Sequence, residues 1–492
     1  MTTLNFQIAQ EVEATAPPPI PLAAAWGQTY LSSHPSEQNI FPGPLLNLSQ
    51  GVPGDPPHPS LLSRLSETSS DPQAARYGDI LGERVLREAV AIETNHRYSL
   101  PSSPSGHKQD EFHSELNNDH KHSSLNNDQI QSNLNNDQIH SNVNHEEKPT
   151  NSSSESDSKF GKGVITWEDV GITVGCNMAF IVLLHTLCTP FKSSILLPLP
   201  SYFNHTMSLS LHSVKPIFIP SLPENEFRPS LIEARKSLEK QSEIEPIKAI
   251  VLVSPNNPTG ATYSPEELRD WYDLAKEWKV ALIIDETYKD FVDGVPHDLF
   301  ELEDWRGTLV SLGSFSKGYR IPGHRLGTIF ANPYLLERIA TICDCMQICP
   351  PRPPQLALAP LLPSLREDIS NSRISLKNRM DLFVPTVQAV KGWKVMSHGG
   401  FFAYVEFPSY LPRRDTQGKI GSEIVSRLLA EECGVVTLPG SFFMPSLDER
   451  WQEGTELLKV DKWIRFAVAN VGDEVIRQLG PRLEMMNRLM EY

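Results

Sequence analysis

The chain has 492 residues, 39% of them hydrophobic and 21% charged, which is typical of a globular protein long enough for two to four domains. Its formal net charge of −16 argues against nucleic-acid binding, because phosphate backbones require a basic face. No apolar run is long enough to span a bilayer, and no Lys or Arg precedes Arg64, so neither a membrane span nor a basic leader is expected. We therefore expect a cytoplasmic protein with no membrane or nucleic-acid partner.

The six cysteines do not indicate a metal site. Cys343, Cys345 and Cys349 follow the spacing C-x-C-x3-C, which matches zinc spacings poorly and has no histidine nearby. We expect no metal, and we expect the thiols to be buried in a protein from a reducing compartment.

Residues 1–45 are rich in Pro, Ala and Ser and predict a flexible N-terminal arm. Helical patterns follow over 59–69 and 82–98. Residues 101–159 then form an insertion with almost no apolar residues and a nine-residue repeat, as in SSLNNDQIQ and SNLNNDQIH. One apolar residue in nine cannot make a packed face, so a disordered low-complexity insertion is predicted. The alternative, a nonapeptide β-roll, requires glycine-rich turns that this segment lacks.

From residue 164 onward, short apolar strands alternate with helical patterns. The predicted strands are 170–174, 194–198, 216–219, 249–253, 280–284, 308–312 and 326–330, and the predicted helices between them include 177–188, 265–278 and 333–346. This alternation predicts an α/β fold, a large domain with a mostly parallel seven-stranded sheet flanked by helices.

The pattern changes after about residue 350. A long helical stretch covers 363–391, and predicted strands follow near 393–396, 402–407 and 464–469. These predict a smaller α+β domain, to which we assign 46–76 and 347–492, and leave 77–346 to the large domain.

Ligands of open α/β sheets bind at the carboxyl ends of strands, and polar clusters follow several of the predicted strands. The clusters are SPNNPTG (254–260), DETYKDF (285–291) and SFSKGYRIPGHRLG (314–327), and Arg465 interrupts a later strand in KWIRFAVAN (462–470). Each alone is equally compatible with a turn or a solvated strand end. A carboxylate that closes an apolar strand, such as Asp285, requires a cation if it is buried.

Taken together, these motifs resemble the class I/II aminotransferases, the fold type I enzymes that depend on pyridoxal 5′-phosphate. The resemblance rests on N-N-P-T-G, D-E-x-Y, S-x-S-K-x(7)-R and the late arginine. YGDILGERVLREAV (77–90), GITVGCNMAF (171–180) and PSYFNH (200–205) also match stretches of that family. The similarity runs from about Asn47 to the end of the chain, apart from the insertion.

The resemblance implies a catalytic role for Lys317, Asp285 and Tyr288. Lys317 would form the Schiff base with the cofactor and then act as general base and acid. Asp285 would face the pyridine nitrogen and favour its protonated form. Asn257 and Tyr288 would donate hydrogen bonds to the cofactor's phenolate oxygen.

The same resemblance implies a phosphate site and a substrate site. The remaining cofactor-binding residues would be Arg325, Ser314 and Ser316, the loop Gly175, Cys176 and Asn177, the ring-stacking Tyr202, and Tyr77 from the other protomer of a homodimer. Arg465 would bind the substrate carboxylate, with Gly51 and Asn257 beside it. The loop departs from the family at Cys176, where small or hydroxyl residues are usual, so a backbone role is expected there.

The implied reaction moves an amino group from an L-amino acid to a 2-oxo acid. Two alternatives are left open. One is another reaction on the same fold: elimination, ring formation as in aminocyclopropane-carboxylate synthases, or condensation. The other is a non-catalytic regulator. Regulators built on this fold carry an N-terminal DNA-binding module. Residues 1–45 contain no Lys or Arg, so a regulator is disfavoured. Four phenylalanines have two interpretations: they contact an apolar substrate side chain, or they simply belong to the core. These residues are Phe401, Phe402, Phe442 and Phe443. The low-complexity insertion suggests a eukaryotic enzyme of specialised metabolism.

Overall fold

The computed structural model describes residues 5–34, 43–101, 163–241, 243–410, 420–445 and 460–490. Apart from Pro101, the predicted insertion at 101–159 lies outside the described residues. Within them no helix is long and apolar enough to cross a membrane.

Helices and short strands follow one another along the described part of the chain, and both are numbered in chain order. The helices are α1 (Gln10–Ala14), α2 (Ile20–Ser33), α3 (Pro59–Ser69), α4 (Arg84–Arg97), α5 (Cys176–Leu187), α6 (Phe203–Leu211), α7 (Leu231–Glu239), α8 (Pro265–Glu277), α9 (Phe315–Gly318), α10 (Pro333–Met346), α11 (Arg352–Leu358), α12 (Arg366–Gln388), α13 (Ser422–Glu431), α14 (Asp473–Arg477) and α15 (Leu479–Leu489). The strands are β1 (Leu46–Asn47), β2 (Val170–Thr173), β3 (Ser194–Leu199), β4 (Lys215–Pro220), β5 (Ile247–Val253), β6 (Ala281–Asp285), β7 (Leu309–Ser314), β8 (Gly327–Phe330), β9 (Lys394–Gly399), β10 (Phe402–Glu406), β11 (Val435–Val436), β12 (Leu438–Pro439) and β13 (Trp463–Ala467).

The large domain is built on a seven-stranded sheet of order β2-β8-β7-β6-β5-β3-β4. Strand β8 runs antiparallel to both of its neighbours, and the other pairs are parallel. The predicted α/β fold with a mostly parallel seven-stranded sheet is therefore confirmed. Each of the seven strands begins and ends within two residues of the predicted bounds.

The central strands are apolar throughout because both faces of the sheet are covered. Along β5, Ile250 and Leu252 point into one core cluster, and Ala249 and Val251 point into another. Successive side chains of a strand point to opposite faces, so a strand buried on both sides needs apolar residues at every position. The second cluster includes side chains from α5 and α10, and the first includes side chains from α4 and α8.

The small domain contains a four-stranded sheet of order β12-β13-β10-β9. Its strands pair antiparallel, and residues of α12, α13 and α15 pack with the sheet into a separate apolar cluster. The short strand β1 pairs in parallel with β11, which brings the chain after Leu46 into this domain.

Two segments differ from the predicted domain boundaries. Leu61 and Leu65 of α3, Leu358 of α11 and the following Leu362 all belong to the apolar cluster that lies under the large sheet. The sequence-based boundaries assign these segments to the small domain. Their burial against the large sheet attaches them to the large domain instead, because a domain is defined by the core that its residues share.

The N-terminal segment also differs from the prediction of a flexible arm. Residues 10–14 and 20–33 form helices, and Trp26 and Tyr30 of α2 are buried. The Tyr30 hydroxyl donates to the Gly43 carbonyl at 2.6 Å, and Trp26 packs in a cluster with Val436. The apolar face of α2 anchors this segment, although its composition is typical of extended chain.

Candidate active site

Three of the predicted polar clusters meet at one edge of the large sheet. Strands β5, β6 and β7 are adjacent and parallel, so their carboxyl ends lie side by side. Asn257 follows β5, Asp285 ends β6, and Lys317 lies in α9 directly after β7. This is the position at which open α/β sheets bind ligands.

Lys317 is a half-buried amine that reaches across to the chain before the large domain. Its Nζ donates a hydrogen bond to the Gly51 carbonyl oxygen at 2.5 Å. Burial, reinforced by the positive charges of Arg465 and Arg325, lowers the pKa of Lys317 to about 8. A substantial fraction of this amine is therefore neutral near pH 7 to 8, as a nucleophilic or basic lysine requires.

Asp285 is a buried carboxylate that several donors hold in its charged form. Burial alone would raise its pKa, but the charge and hydrogen bonds of His205 and Thr287 outweigh burial, and the pKa of Asp285 lies below its ordinary value. His205 Nε2 lies 3.4 Å from Oδ2, and the Thr287 backbone N–H donates to Oδ1 at 3.0 Å. The Cys176 thiol lies 3.6 Å from the same Oδ1. Asp285 therefore presents a fixed negative charge in a site that largely excludes water.

Arg465 is a buried cation that has no carboxylate partner among the described residues. It is 2% exposed, and burial lowers its pKa to about 10. One terminal nitrogen donates to Asn257 Oδ1 at 2.9 Å, another donates to the Ser49 carbonyl, and Nε has no hydrogen-bond partner. A buried guanidinium in this state is costly unless an anion joins it, so the site is suited to a ligand carboxylate.

Two phenylalanine rings flank Arg465. Its guanidinium carbon lies 4.6 Å from the ring centroid of Phe402 and 5.0 Å from that of Phe443. Of the two interpretations of these residues, the structure favours a packing role, since their rings stabilise the cation and exclude water around it. Gly51 lies against the Phe402 ring, because a Cβ at Gly51 would lie 2.6 Å from that ring.

The turn from β2 into α5 forms a cradle that is suited to an anion. Gly175 precedes the helix with a φ of +80°, and a Cβ at this position would lie 2.2 Å from an Arg325 guanidinium nitrogen. Only glycine combines this backbone conformation with such a close approach. The free N–H groups at the start of α5 and the Arg325 charge therefore lie together, which is the arrangement that binds phosphate groups.

Two tyrosines retain their hydroxyl protons within the site. Burial raises the pKa of Tyr202 to about 12, although a hydrogen bond from Asn177 opposes this effect. Burial likewise raises the pKa of Tyr288 well above its ordinary value. Both hydroxyls are therefore protonated at neutral pH and available as donors.

The remaining predicted site residues are placed differently. Ser316 is buried, and its N–H donates to the Ser314 hydroxyl at 3.1 Å, which caps the short helix that carries Lys317. Ser314 also lines a separate cavity on this side of the sheet. Tyr77 lies on the surface, 79% exposed. The cysteines correct another expectation, because Cys345 is exposed and Cys349 half-buried.

Several residues of the site carry no separate prediction from the sequence. His205 lies one helical turn after Tyr202, within the segment PSYFNH, and this spacing is the one available signal for its contact with Asp285. The Ser49 carbonyl and the Thr287 N–H are backbone groups, so their contribution is independent of residue type and leaves no sequence signal.

Comparison with known proteins identifies a matching family. Residues 165–483 match the family model described as aminotransferase class I and II. The matched stretch begins just after the insertion and includes all four of the polar clusters described above.

Curated relatives and solved structures agree with this match. The chain is 28% identical over 276 residues to aromatic-amino-acid aminotransferase 2 of Thermococcus litoralis, covering 55% of this chain and 67% of the relative. It is also 28% identical over 282 residues to an aspartate aminotransferase of Sulfurisphaera tokodaii, covering 56% and 67%. A solved structure of Bna3p, a putative kynurenine aminotransferase from Saccharomyces cerevisiae, shares the fold with a TM-score of 0.73 at 17% identity, over 98% of this chain and 99% of that one.

Proposed function

The chain belongs to the family of class I and II aminotransferases, and from that premise we propose that its site holds pyridoxal 5′-phosphate on Lys317 and transfers the amino group of an L-amino acid to a 2-oxo acid. The observation that carries the proposal is the meeting of two cations, Lys317 and Arg465, with the Asp285 carboxylate in one site, where Arg465 has no carboxylate partner among the described residues. Lys317 and Arg465 lie close enough for the charge of Arg465 to lower the pKa of Lys317, and Asp285 opposes that effect.

The residues present fit this cofactor. A buried carboxylate at Asp285 suits a protonated ring nitrogen, since an opposite charge stabilises the protonated form. The cradle formed by Gly175, the start of α5 and Arg325 suits a phosphate group. The Asn257 amide and the protonated Tyr288 hydroxyl supply donors for an oxygen on the ring. Tyr202 offers an aromatic face.

When bound, pyridoxal 5′-phosphate supplies an aldehyde that accepts the amino group and a ring that stabilises negative charge at the substrate carbon. Lys317 would hold the cofactor through Nζ and, once released from it, would accept a proton from the substrate Cα and donate it to the cofactor. A pKa of about 8 suits both directions of this transfer, because the amine is then partly neutral and partly protonated near neutral pH. Asp285 would keep the ring nitrogen protonated throughout.

Arg465 would orient the substrate through its α-carboxylate. Its planar guanidinium forms two parallel hydrogen bonds to a carboxylate, and its Nε is free of hydrogen bonds among the described residues. The rings of Phe402 and Phe443 lie against the guanidinium and limit water around it, which strengthens the ion pair. The absence of a side chain at Gly51 lets the Phe402 ring approach the backbone beside this contact.

The experiment that tests the proposal is a donor-by-acceptor screen on the purified enzyme loaded with pyridoxal 5′-phosphate. An amino-acid donor should change the cofactor's visible absorbance, and a 2-oxo acid should restore it while yielding a new amino acid. Lys317→Ala should bind the cofactor but transfer no amino group. The absence of any absorbance change across a broad panel of donors would contradict the proposal. Release of ammonia or a cyclic amine without a 2-oxo acid would indicate another reaction on the same fold.

Three further expectations stay predictions of the sequence. They are a homodimer in which Tyr77 of one protomer reaches the phosphate of the other, a cytoplasmic location, and a role in specialised metabolism. The 79% exposure of Tyr77 supports the first, because a side chain that serves a neighbouring protomer is accessible in a single chain.

A further inference from the structure

A second cavity lies behind the helix that carries Lys317. Its volume is about 800 Å³, within the range of small-molecule sites. The walls come from α4, the loop after β6, strands β7 and β8, and the start of α12. Of the residues predicted for the cofactor and substrate, only Ser314 lines it, and none of the described side chains that contact Arg465 or Asp285 does.

The cavity contains a cation, Lys289, whose charge acts on two carboxylates without forming an ion pair with either: it opposes the effect of burial on the pKa values of Glu286 and Asp290. The Lys289 ammonium lies 5.5 Å from the ring centroid of Tyr98 and 5.1 Å from that of Phe330. Among the described residues, no acceptor lies within hydrogen-bond or ion-pair distance of this ammonium. Aromatic faces attract a cation but neutralise it far less than a carboxylate does, so Lys289 can still accept an anionic partner.

A second cation of the same cavity is only weakly engaged. Arg373 Nε has no hydrogen-bond partner within the described part of the chain and lies 3.6 Å from the exposed Asp293, while a terminal nitrogen donates to the Ser370 hydroxyl at 3.3 Å. The other arginines of the cavity are occupied. Arg366 forms two hydrogen bonds of 2.6 and 2.7 Å with Glu93, and Arg97 donates to three backbone carbonyls.

The acidic groups that line the cavity form no ion pair with Lys289 among the described residues. Glu93 is already paired with Arg366, and Glu367 is exposed. The Asp290 carboxylate packs against Gly318, where a Cβ would lie 2.1 Å from Oδ2. Burial raises its pKa above the ordinary value, although the charges of Lys289, Arg97 and Arg373 oppose this effect. The remaining lining is largely apolar and comes from Val90, Phe315, Phe330, Leu362 and Ile369.

We propose that this cavity binds a small organic acid, with its carboxylate on Lys289, Arg373 as the second cation, and its apolar body against the walls. Water would fill such a cavity poorly on its apolar side, whereas a carboxylate on a compact apolar group matches both parts. Phe315 belongs to α9, so an occupant would contact the same short helix that positions Lys317.

The test is isothermal titration of the cofactor-loaded enzyme with benzoate as the probe. Arg465→Met removes the carboxylate site of the active centre, and we expect this variant still to bind one benzoate per chain. Adding Lys289→Met should weaken that binding at least tenfold, and Arg373→Met should also weaken it. Lys192→Met, which removes an exposed lysine elsewhere, is the matched control and should leave the binding unchanged.

The outcomes separate the possible sites. If Arg465→Met abolishes all benzoate binding, the active centre is the only site and the inference is wrong. It is equally wrong if Lys289→Met and Arg373→Met both leave the affinity unchanged, or if Lys192→Met weakens binding as much as they do. Circular dichroism of each variant establishes that it is folded, and Lys289→Arg, which keeps the charge, should retain most of the affinity.

Discussion

The substitution Arg465→Met tests whether Arg465 mainly stabilises the fold or mainly binds the substrate carboxylate. Arg465 is 2% exposed, and its described contacts are the Asn257 side chain, the Ser49 carbonyl and two phenylalanine rings. Methionine has a similar length and no charge, so it removes the guanidinium while filling most of the space. We expect a large loss of activity and only a moderate loss of stability.

The magnitudes follow from the burial of the charge. The fall in the pKa of Arg465 from 12.5 to about 10 corresponds to a destabilisation of the charged form of about 3 kcal/mol. The two hydrogen bonds that methionine would lose contribute roughly 1.5 to 3 kcal/mol each. Removing the buried charge regains about 3 kcal/mol, and losing the two hydrogen bonds costs about 3 to 6 kcal/mol. The free energy of unfolding should therefore fall by at most about 3 kcal/mol. Losing one partner of a buried charge pair with the substrate costs roughly 2 to 5 kcal/mol, or about 30- to 5,000-fold in kcat/KM.

Arg482 provides a matched control in the same domain. It is 1% exposed and donates to the Cys433 and Pro44 carbonyls at 2.6 and 2.8 Å. Arg482→Met should therefore cost stability without a specific effect on kcat/KM. The assays are chemical denaturation of the cofactor-free proteins and steady-state kinetics with the best donor from the screen.

The reasoning fails if Arg465→Met loses less than tenfold in kcat/KM while Arg482→Met loses as much or more. That result would mean that Arg465 only supports the fold. A loss in Arg465→Met confined to kcat, with KM unchanged, would contradict a role in binding the ground-state carboxylate.

Two further predictions concern the cofactor. The rate at which pyridoxal 5′-phosphate attaches to the cofactor-free enzyme should rise with pH around a midpoint near 8 rather than 10.5, since only the neutral Lys317 amine reacts. Arg465→Met should move this midpoint upward because it removes a nearby positive charge, and a midpoint near 10.5 in the wild type would contradict the burial of Lys317. Gly175→Ala should weaken cofactor binding at least tenfold in a fluorescence titration, because its Cβ would displace Arg325. Gly294→Ala has a comparable φ of +71° with no atom within 4 Å, so it should affect stability alone, and equal cofactor affinity in both variants would refute the cradle.

The large sheet was predictable because its signals are local. A strand buried on both faces must be apolar at every position, and turn residues mark its ends, so β5, β6 and β7 are evident in the sequence. The N-terminal segment was predicted wrongly for the converse reason. The proline and alanine content of residues 1–45 is typical of extended chain, whereas α2 is stabilised by the packing of Trp26 with Val436 and by the hydrogen bond from Tyr30 to the Gly43 carbonyl.

For the site, the sequence by itself determined which chemical groups are present and which strand ends carry them. Lys317, Asp285, Asn257 and Arg465 stand in motifs whose order and spacing indicate the family. Only the tertiary structure decided what surrounds them: His205 beside Asp285, two phenylalanine rings around the guanidinium, and the Gly51 carbonyl on the Lys317 amine. These contacts join residues far apart in the chain and include backbone atoms, so no local pattern encodes them. Their burial is the physical cause of the shifted pKa values on which the proposed chemistry depends.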